Sequence, residues 1–150
     1  MTFVARDPEF QSRVRESFSR QRVMLLLGAS LAHVAPGEVD ILLPFRPDLT
    51  QQDGFLHAGI IATIADSACG YAAHTLMERQ TNVLSIEFKL NLLAPALGDT
   101  LVARARVLRA GRTITVCRAD IVASSNGSEK LVATMLGTMM AVTGRSGTSS

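Results

Sequence analysis

The chain has 150 residues, a common size for a single domain. Hydrophobic residues make up 47% of it and charged residues 19%, so a packed core is expected, and the net charge of +2 is too small to indicate a nucleic-acid partner. Aromatic residues amount to 5% and Trp is absent, which argues against a stacking surface for single-stranded nucleic acid.

Neither a signal peptide nor a membrane span is predicted. Charged residues interrupt the stretch from Met1 to Arg22, and the apolar runs are far shorter than a span requires. The two cysteines, Cys69 and Cys117, lie far apart without the spacing of metal ligands. We interpret them as reduced, buried thiols of a cytoplasmic protein, and expect no metal and no cofactor.

The N-terminal segment is predicted to form a helix over about residues 8–27. Asp7 or Pro8 begins it, and Gly28 is a suitable stop. Its apolar stripe includes Phe10, Val14 and Phe18, and the charged residues expected outside are Arg13, Arg15, Glu16 and Arg20. We interpret it as a helix that packs on the domain edge, because its apolar face is thin for a membrane-surface helix.

Two strands, residues 31–35 and 39–45, follow as a hairpin around Pro36-Gly37. A polar loop, residues 46–54, then leads into the strongest helical pattern of the chain, from about Ala58 to Met77. This helix is rich in Ala and Gly, so other backbone is expected to approach it closely on several sides. Asp66 is its lone acid, with no basic residue within a turn.

The remaining sequence is predicted to be a continuous β region. Residues 83–92 alternate apolar and mostly polar side chains with period 2, and strands over 101–108, 113–123 and 131–142 follow. Hairpins are expected between all these strands, with Asn126-Gly127 as the clearest turn. The tail, residues 144–150, is expected to fray. We predict an α+β fold in which a mostly antiparallel sheet curls around one long helix.

Asp66 and the start of the long helix suggest a reaction site. Free N–H groups at a helix start suit a carbonyl oxygen that gains negative charge, and an acid can serve as base. However, Ala58 and Asp66 lie about 12 Å apart along one helix, too far to act on one carbon. Two antiparallel copies related by a two-fold axis would bring Asp66 of one beside Ala58 of the other, so a dimer with shared sites is predicted.

Several motifs occur together between about Leu25 and Val142. They are the Gly28 turn, Gly37, the run Gly54-Phe55-Leu56-His57-Ala58-Gly59, Asp66, Ser85, Ala94-Pro95 and Gly98-Asp99. In this set the chain resembles the hot-dog fold acyl-CoA thioesterases, specifically the branch that includes the phenylacetic-acid-degradation thioesterases. The resemblance implies a single hot-dog domain over residues 1–150, which hydrolyses acyl-CoA to a free acid and CoA, and a homo-oligomer, either a dimer or a tetramer.

The resemblance also implies roles for individual residues. Asp66 is the general base or the nucleophile, and the Ala58 N–H is the oxyanion donor. Ser85 and Gln51 orient water or substrate, and His57 bonds the loop backbone. On the substrate side, Gly59 is expected at the site, and Phe55 is expected either to pack in the core or to line an acyl pocket. The turn with Arg109, Gly111 and Arg112 is either an exposed, charged hairpin turn or a contact for the CoA phosphates, because guanidinium groups pair well with phosphate.

Two residues depart from the family pattern. Ala58 stands where the family usually has Gly, and the backbone N–H that matters is retained. Gln51 stands where the family often has Asn. Two alternative functions are a non-catalytic acyl-CoA-binding regulator and a hot-dog enoyl-CoA hydratase. The regulator is expected to carry a DNA-binding domain, for which the segment before Leu25 is too short, and the hydratase needs a His beside an acid.

Overall fold

The computed structural model describes residues 1–144, so all of the predicted tail except Gly144 lies outside the described residues. Three helices and six strands make up the fold. The helices are α1 (Phe10–Arg20), α2 (Arg22–Leu27) and α3 (Ala58–His74), and Pro47–Leu49 form a short 3-10 turn. The strands are β1 (Ser30–Ala35), β2 (Glu38–Pro44), β3 (Thr81–Leu92), β4 (Thr100–Ala110), β5 (Ile114–Ser125) and β6 (Ser128–Thr143).

All six strands form one antiparallel sheet in the order β1-β2-β4-β5-β6-β3. The predicted hairpins β1–β2, β4–β5 and β5–β6 are confirmed, but the prediction of a hairpin between β3 and β4 is wrong. β3 pairs with β6 at the sheet edge, and β4 pairs with β2. Residues 93–99 cross the end of the sheet, where the N–H groups of Leu93 and Ala94 donate to Val132 O and that of Asp99 donates to Ser124 O.

The sheet curves around α3, which packs against the five strands β2 to β6. Ala65, Ala68 and Ala72 on this helix are fully buried, and their small side chains allow the strands to come close. The helix ends at His74, three residues before the predicted end. Leu76 N–H donates to Ala73 O and Met77 N–H to His74 O, so the chain tightens into a turn there before entering β3.

The N-terminal segment is two helices, not the single predicted one. Gln21 separates them in an extended conformation (φ −77°, ψ 97°), which redirects α2 so that Met24 and Leu27 reach the core. Gly28 ends α2 in the left-handed region at φ 73°, as its position predicts. No helix within residues 1–144 has both the length and the hydropathy of a membrane span.

Arg13 does not lie on the outer face of α1 as predicted. Its side chain is 14% exposed; its Nε donates to Asp7 Oδ2, and its Nη2 donates to the carbonyl oxygens of His74 and Met77. Asp7 is also buried, and its pKa is lowered mainly by the Glu9 N–H and by Arg13. Arg13 therefore ties α1 to the C-terminal end of α3.

Strand β3 departs from the strict alternation that its sequence predicts. Ser85 pairs with Met139 and Phe88 with Gly137, with a bulge between Ser85 and Glu87. Met139 and Gly137 are two residues apart and face the same side, so Ser85 and Phe88 also share the helix-facing side although they are three residues apart. The apolar residues therefore change faces at the bulge and do not form one buried stripe.

Candidate active site

Asp66 lies in the middle of α3, beside β3. Its Oδ1 accepts a hydrogen bond of 2.6 Å from the Ser85 hydroxyl, and this hydroxyl also lies 3.3 Å from Met139 Sδ. The acid is half-buried rather than enclosed, although its sequence neighbours are apolar, because it faces the open edge of the sheet. The bond to Ser85 fixes one carboxylate oxygen and leaves the other for a water or a substrate.

The start of α3 provides a free N–H donor. His57 caps the helix, since its Nδ1 accepts the Gly59 N–H at 2.9 Å and its carbonyl oxygen accepts the N–H groups of Ile60 and Ile61. Within residues 1–144 the Ala58 N–H donates to no acceptor. A free N–H at the positive end of a 17-residue helix is suited to an oxyanion.

The loop before α3 folds back on itself. Gln51 N–H donates to Phe55 O at 2.8 Å, and the Gln51 side-chain oxygen accepts the Asp53 N–H. Gln51, Phe55 and Ala58 line one cavity of about 420 Å³ together with Leu92 and other apolar residues. Three of the predicted site residues are therefore brought together here. The side-chain oxygen of Gln51 already stabilises its own loop.

The predicted CoA-binding turn lies at the other end of the molecule. Gly111 and Arg112 line a cavity of about 530 Å³ with Met77, beyond the C-terminal end of α3, whereas Arg109 is an exposed residue of β4. A Cβ atom on Gly111 would lie 2.7 Å from Ile114 O, so the turn requires glycine. From Ala58 to the end of α3 is about 24 Å, so one chain does not bring this turn to the helix start.

Asp66 and Ala58 are also separated within one chain. Both belong to the same regular helix, eight residues apart, which corresponds to about 12 Å. The fold therefore separates the predicted site residues into two groups, which we call half-sites. One contains Asp66 and Ser85, and the other contains Ala58 with His57, Gly59, Gln51 and Phe55.

The family of the chain follows from its sequence as well as from this fold. The profile of the thioesterase superfamily matches residues 53–130, a range that contains Ala58, Asp66 and Ser85. The chain belongs to the thioesterase superfamily. It is a thioester hydrolase with the hot-dog fold, in which the curved sheet encloses α3.

Known relatives of this thioesterase cover most of its length. A putative esterase from Halobacterium salinarum is 31% identical over an alignment of 112 residues, which covers 71% of this chain and 74% of the relative. Human acyl-coenzyme A thioesterase 13 is 30% identical over 105 residues, 69% of this chain and 73% of the relative. The crystal structure of a thioesterase family protein from Silicibacter pomeroyi is 50% identical, with a TM-score of 0.89, and the match covers 90% of this chain and 99% of that one.

A groove of the thioesterase extends from Asp66 along α3, with a volume of about 320 Å³. Its walls are α1 and β3, and we call it the α1–β3 groove. The α1 wall was not predicted from sequence. It is formed by polar contacts, since Ser67 donates to Gln21 Oε1 at 3.1 Å and the Ser17 and Tyr71 hydroxyls lie 3.3 Å apart. The signal in the sequence is a polar residue at every fourth position of the amphipathic N-terminal segment: Arg13, Ser17 and Gln21.

Burial controls the ionisation of the groups around this groove. Burial lowers the pKa of His74 to about 4, with a further contribution from the Arg13 charge. Burial also raises the pKa of Tyr71, which packs against the Phe18 ring at 5.7 Å. His74 and Tyr71 are therefore neutral at pH 7, and the Asp66 carboxyl lies on the same groove.

Proposed function

We propose that the protein hydrolyses acyl-CoA thioesters to a free carboxylic acid and CoA. The observation that carries this proposal is Asp66, held by the Ser85 hydroxyl at 2.6 Å at the open edge of the sheet in a member of the thioesterase superfamily. Human acyl-coenzyme A thioesterase 13, a relative by sequence, supports the choice of CoA as the thiol. The reaction needs no cofactor, because CoA is part of the substrate.

The proposed mechanism uses the two half-sites together. Asp66 takes a proton from water, and the resulting hydroxide attacks the thioester carbonyl carbon; alternatively, the carboxylate attacks this carbon itself and water hydrolyses the anhydride. Ser85 holds the carboxylate in position. The carbonyl oxygen becomes an oxyanion, which accepts a hydrogen bond from the Ala58 N–H. The C–S bond then breaks, the acid leaves, and the CoA thiolate takes up a proton.

The half-sites meet if two copies of the chain associate around a two-fold axis. The point halfway between Ala58 and Asp66 on α3 is Ala62, and the corresponding point on β3 is near Phe88. An axis near these residues places Asp66 of each copy beside Ala58 of the other. The small residues of α3 allow such close helix contact. The same two-fold axis brings the turn with Gly111 and Arg112 of one copy towards the helix start of the second copy. There the Arg112 guanidinium can meet CoA phosphates.

We propose an acyl-CoA substrate and a two-fold dimer, and both proposals are less specific than what the sequence resemblance implies. Membership of the phenylacetic-acid-degradation branch would favour an aromatic acyl group, and pairing of dimers would give a tetramer. A cytoplasmic location is consistent with two buried, free thiols at Cys69 and Cys117. The acyl preference is decided by a substrate panel, and the assembly by light scattering in solution.

The direct test is free-thiol release from a panel of acyl-CoA substrates. We expect thiol release on saturated acyl-CoA at rates typical of enzymes, roughly 1 per second or faster. Hydration of an enoyl-CoA double bond without thiol release would instead show a hydratase, and tight binding without either reaction would show a regulator. Either of these results would contradict the proposal.

A further inference from the structure

The α1–β3 groove has two walls that run antiparallel to α3. On the α1 side, Gln21 meets Ser67 and Ser17 meets Tyr71. On the β3 side, Ser85 meets Asp66, and the Thr81 carbonyl oxygen meets His74 Nε2 at 3.0 Å. Eight helical residues and four strand residues both rise about 12–13 Å, so the walls follow the helix from Asp66 to His74. The groove therefore starts at Asp66, the reacting acid, and runs beside α3 as far as His74.

The floor of the groove contains a glycine that the helix does not need. Gly70 lies one turn, about 6 Å, beyond Asp66 in the interior of α3. A Cβ atom built on Gly70 would meet no atom within 4 Å, and its φ is not positive. Alanine there would fit without a clash and would favour the helix more than glycine does. What glycine provides at this position is the open volume beside Asp66.

The far end of the groove is polar. His74 is buried, and its Nε2 lies against the Thr81 carbonyl oxygen, so Nε2 carries the proton and Nδ1 is an acceptor. Within residues 1–144 no group donates to this Nδ1. The Tyr71 and Ser17 hydroxyls lie on the same groove and can each donate or accept one further hydrogen bond. Buried polar atoms are normally paired, so this end is suited to a ligand that supplies a hydroxyl.

We propose that the α1–β3 groove binds the acyl chain of the substrate, that Gly70 keeps its path open, and that Tyr71, Ser17 and His74 select an acyl group with a hydroxyl at its far end. This inference rests on the proposed thioesterase function. The floor from Asp66 to His74 measures about 12 Å, which an extended chain of roughly eight to ten carbons spans. Tyr71, Ser17, His74 and Gly70 are then specificity-determining residues that act on the acyl group and not on the carbonyl.

The first experiment tests the path of the chain. It compares kcat/KM for octanoyl-CoA and propanoyl-CoA in the wild type and in Gly70→Leu. Because the leucine side chain fills the groove one turn beyond Asp66, we expect the octanoyl-to-propanoyl ratio to fall on the order of 10-fold or more. Ser19→Leu, on the exposed side of α1, is the matched control and leaves the ratio unchanged. A ratio that Gly70→Leu does not change overturns the proposed path.

The second experiment tests the polar end. It compares kcat/KM for 8-hydroxyoctanoyl-CoA and octanoyl-CoA. Since a hydrogen bond contributes about 1 kcal/mol, we expect the wild type to favour the hydroxylated chain by roughly 5-fold. Tyr71→Phe combined with Ser17→Ala, and separately His74→Phe, should remove this preference, whereas Ser19→Ala should keep it. Circular dichroism checks that each variant is folded.

The outcomes separate this inference from the function on which it rests. Equal or lower kcat/KM for the hydroxylated chain in the wild type overturns the selection at the polar end, whatever the variants do. If octanoyl-CoA still releases thiol in that case, the proposed thioesterase function is not contradicted. Absence of thiol release from every acyl-CoA overturns the proposed function and this inference together.

Discussion

Among single residues, Asp66 matters most for the proposed hydrolysis. Its carboxylate is bonded to Ser85 and faces an open edge, and no other acid lies on α3. We expect Asp66→Asn to keep the fold, since the side chain is half-buried and the amide has nearly the same shape, and to lower kcat on the order of 100-fold or more. The rate of thiol release under saturating acyl-CoA measures this change in kcat.

A matched control for Asp66→Asn is Glu129→Gln. Glu129 pairs with Arg104 at 2.6 Å on the exposed surface, far from the groove. Loss of this exposed pair should leave the free energy of unfolding close to that of the wild type and kcat unchanged. Wild-type turnover in a folded Asp66→Asn protein would remove Asp66 from the mechanism.

Ser85 allows a second prediction at this scale. Its hydroxyl donates to the carboxylate, and a hydrogen bond to a charged group is worth about 1.5–3 kcal/mol. We therefore expect Ser85→Ala to lower kcat/KM by roughly 10- to 100-fold, less than the loss from Asp66→Asn. Ser85→Thr, which keeps the hydroxyl, should recover part of the activity. An Ala variant as active as the wild type would show that the bond does not position the acid.

Among the elements, the start of α3 allows the role of the Ala58 backbone N–H to be tested separately from that of the Ala58 side chain. His57 has φ −62° and ψ 137°, a conformation that accepts a following proline, and Ala58 is the first helical residue. Ala58→Pro therefore removes one N–H with little strain. We expect kcat to fall roughly 100-fold in Ala58→Pro and to stay near wild type in Ala58→Gly. Equal kcat in a folded Ala58→Pro protein would contradict the oxyanion role of this N–H.

The contact between α1 and α3 predicts a pH dependence of stability. The pKa of His74 is lowered to about 4 in the folded protein by burial and by Arg13, against about 6.5 when unfolded. Between these values only the unfolded state binds the proton, so stability falls as the pH falls from about 6.5 to about 4. The full loss is about 3 kcal/mol. Asp7, the other titrating group in this cluster, has a lowered pKa and loses its contribution only at lower pH.

Denaturant titrations at pH 7.5 and pH 5 measure this effect. The wild type should lose about 2 kcal/mol between the two values, and His74→Phe should lose much less. His33→Phe is the matched control, because His33 is half-exposed and pairs with Glu38 on the surface, and this variant should lose as much stability as the wild type. A His74→Phe variant with the wild-type pH dependence would show that His74 does not cause it.

The sequence predicted the elements better than their partners. The sequence located α3 and all six strands to within a few residues, because the helical and the strand periods of apolar residues both reflect local geometry. It could not show that β3 pairs with β6, since strand order depends on contacts distant in sequence. It also could not show that Arg13 turns inward, because its buried partners include the carbonyl oxygens of His74 and Met77, which no pattern of side chains indicates. The polar wall of the groove was missed because its contacts join residues about 50 positions apart in sequence.

At the scale of the whole molecule, β3 is an edge strand with an unusual surface. It has 12 residues without proline, and Leu84, Ile86, Phe88 and Leu92 are 58%, 52%, 45% and 55% exposed. A long apolar edge of this kind is normally covered. A second copy of β3 across a two-fold axis near Phe88 would cover it and would unite the two half-sites. The edge strand and the divided site therefore support the same dimer.

The most direct test of this account is complementation between two inactive variants. Asp66→Asn and Ala58→Pro chains, one of them tagged, are unfolded together in equal amounts and refolded. In a statistical mixture about half of the dimers are mixed, and each mixed dimer has one site with both changes and one intact site. About one quarter of the wild-type activity should therefore return, and it should copurify with both chains. Mixed dimers that form but stay inactive would contradict the shared site, and each chain would then have to form its own.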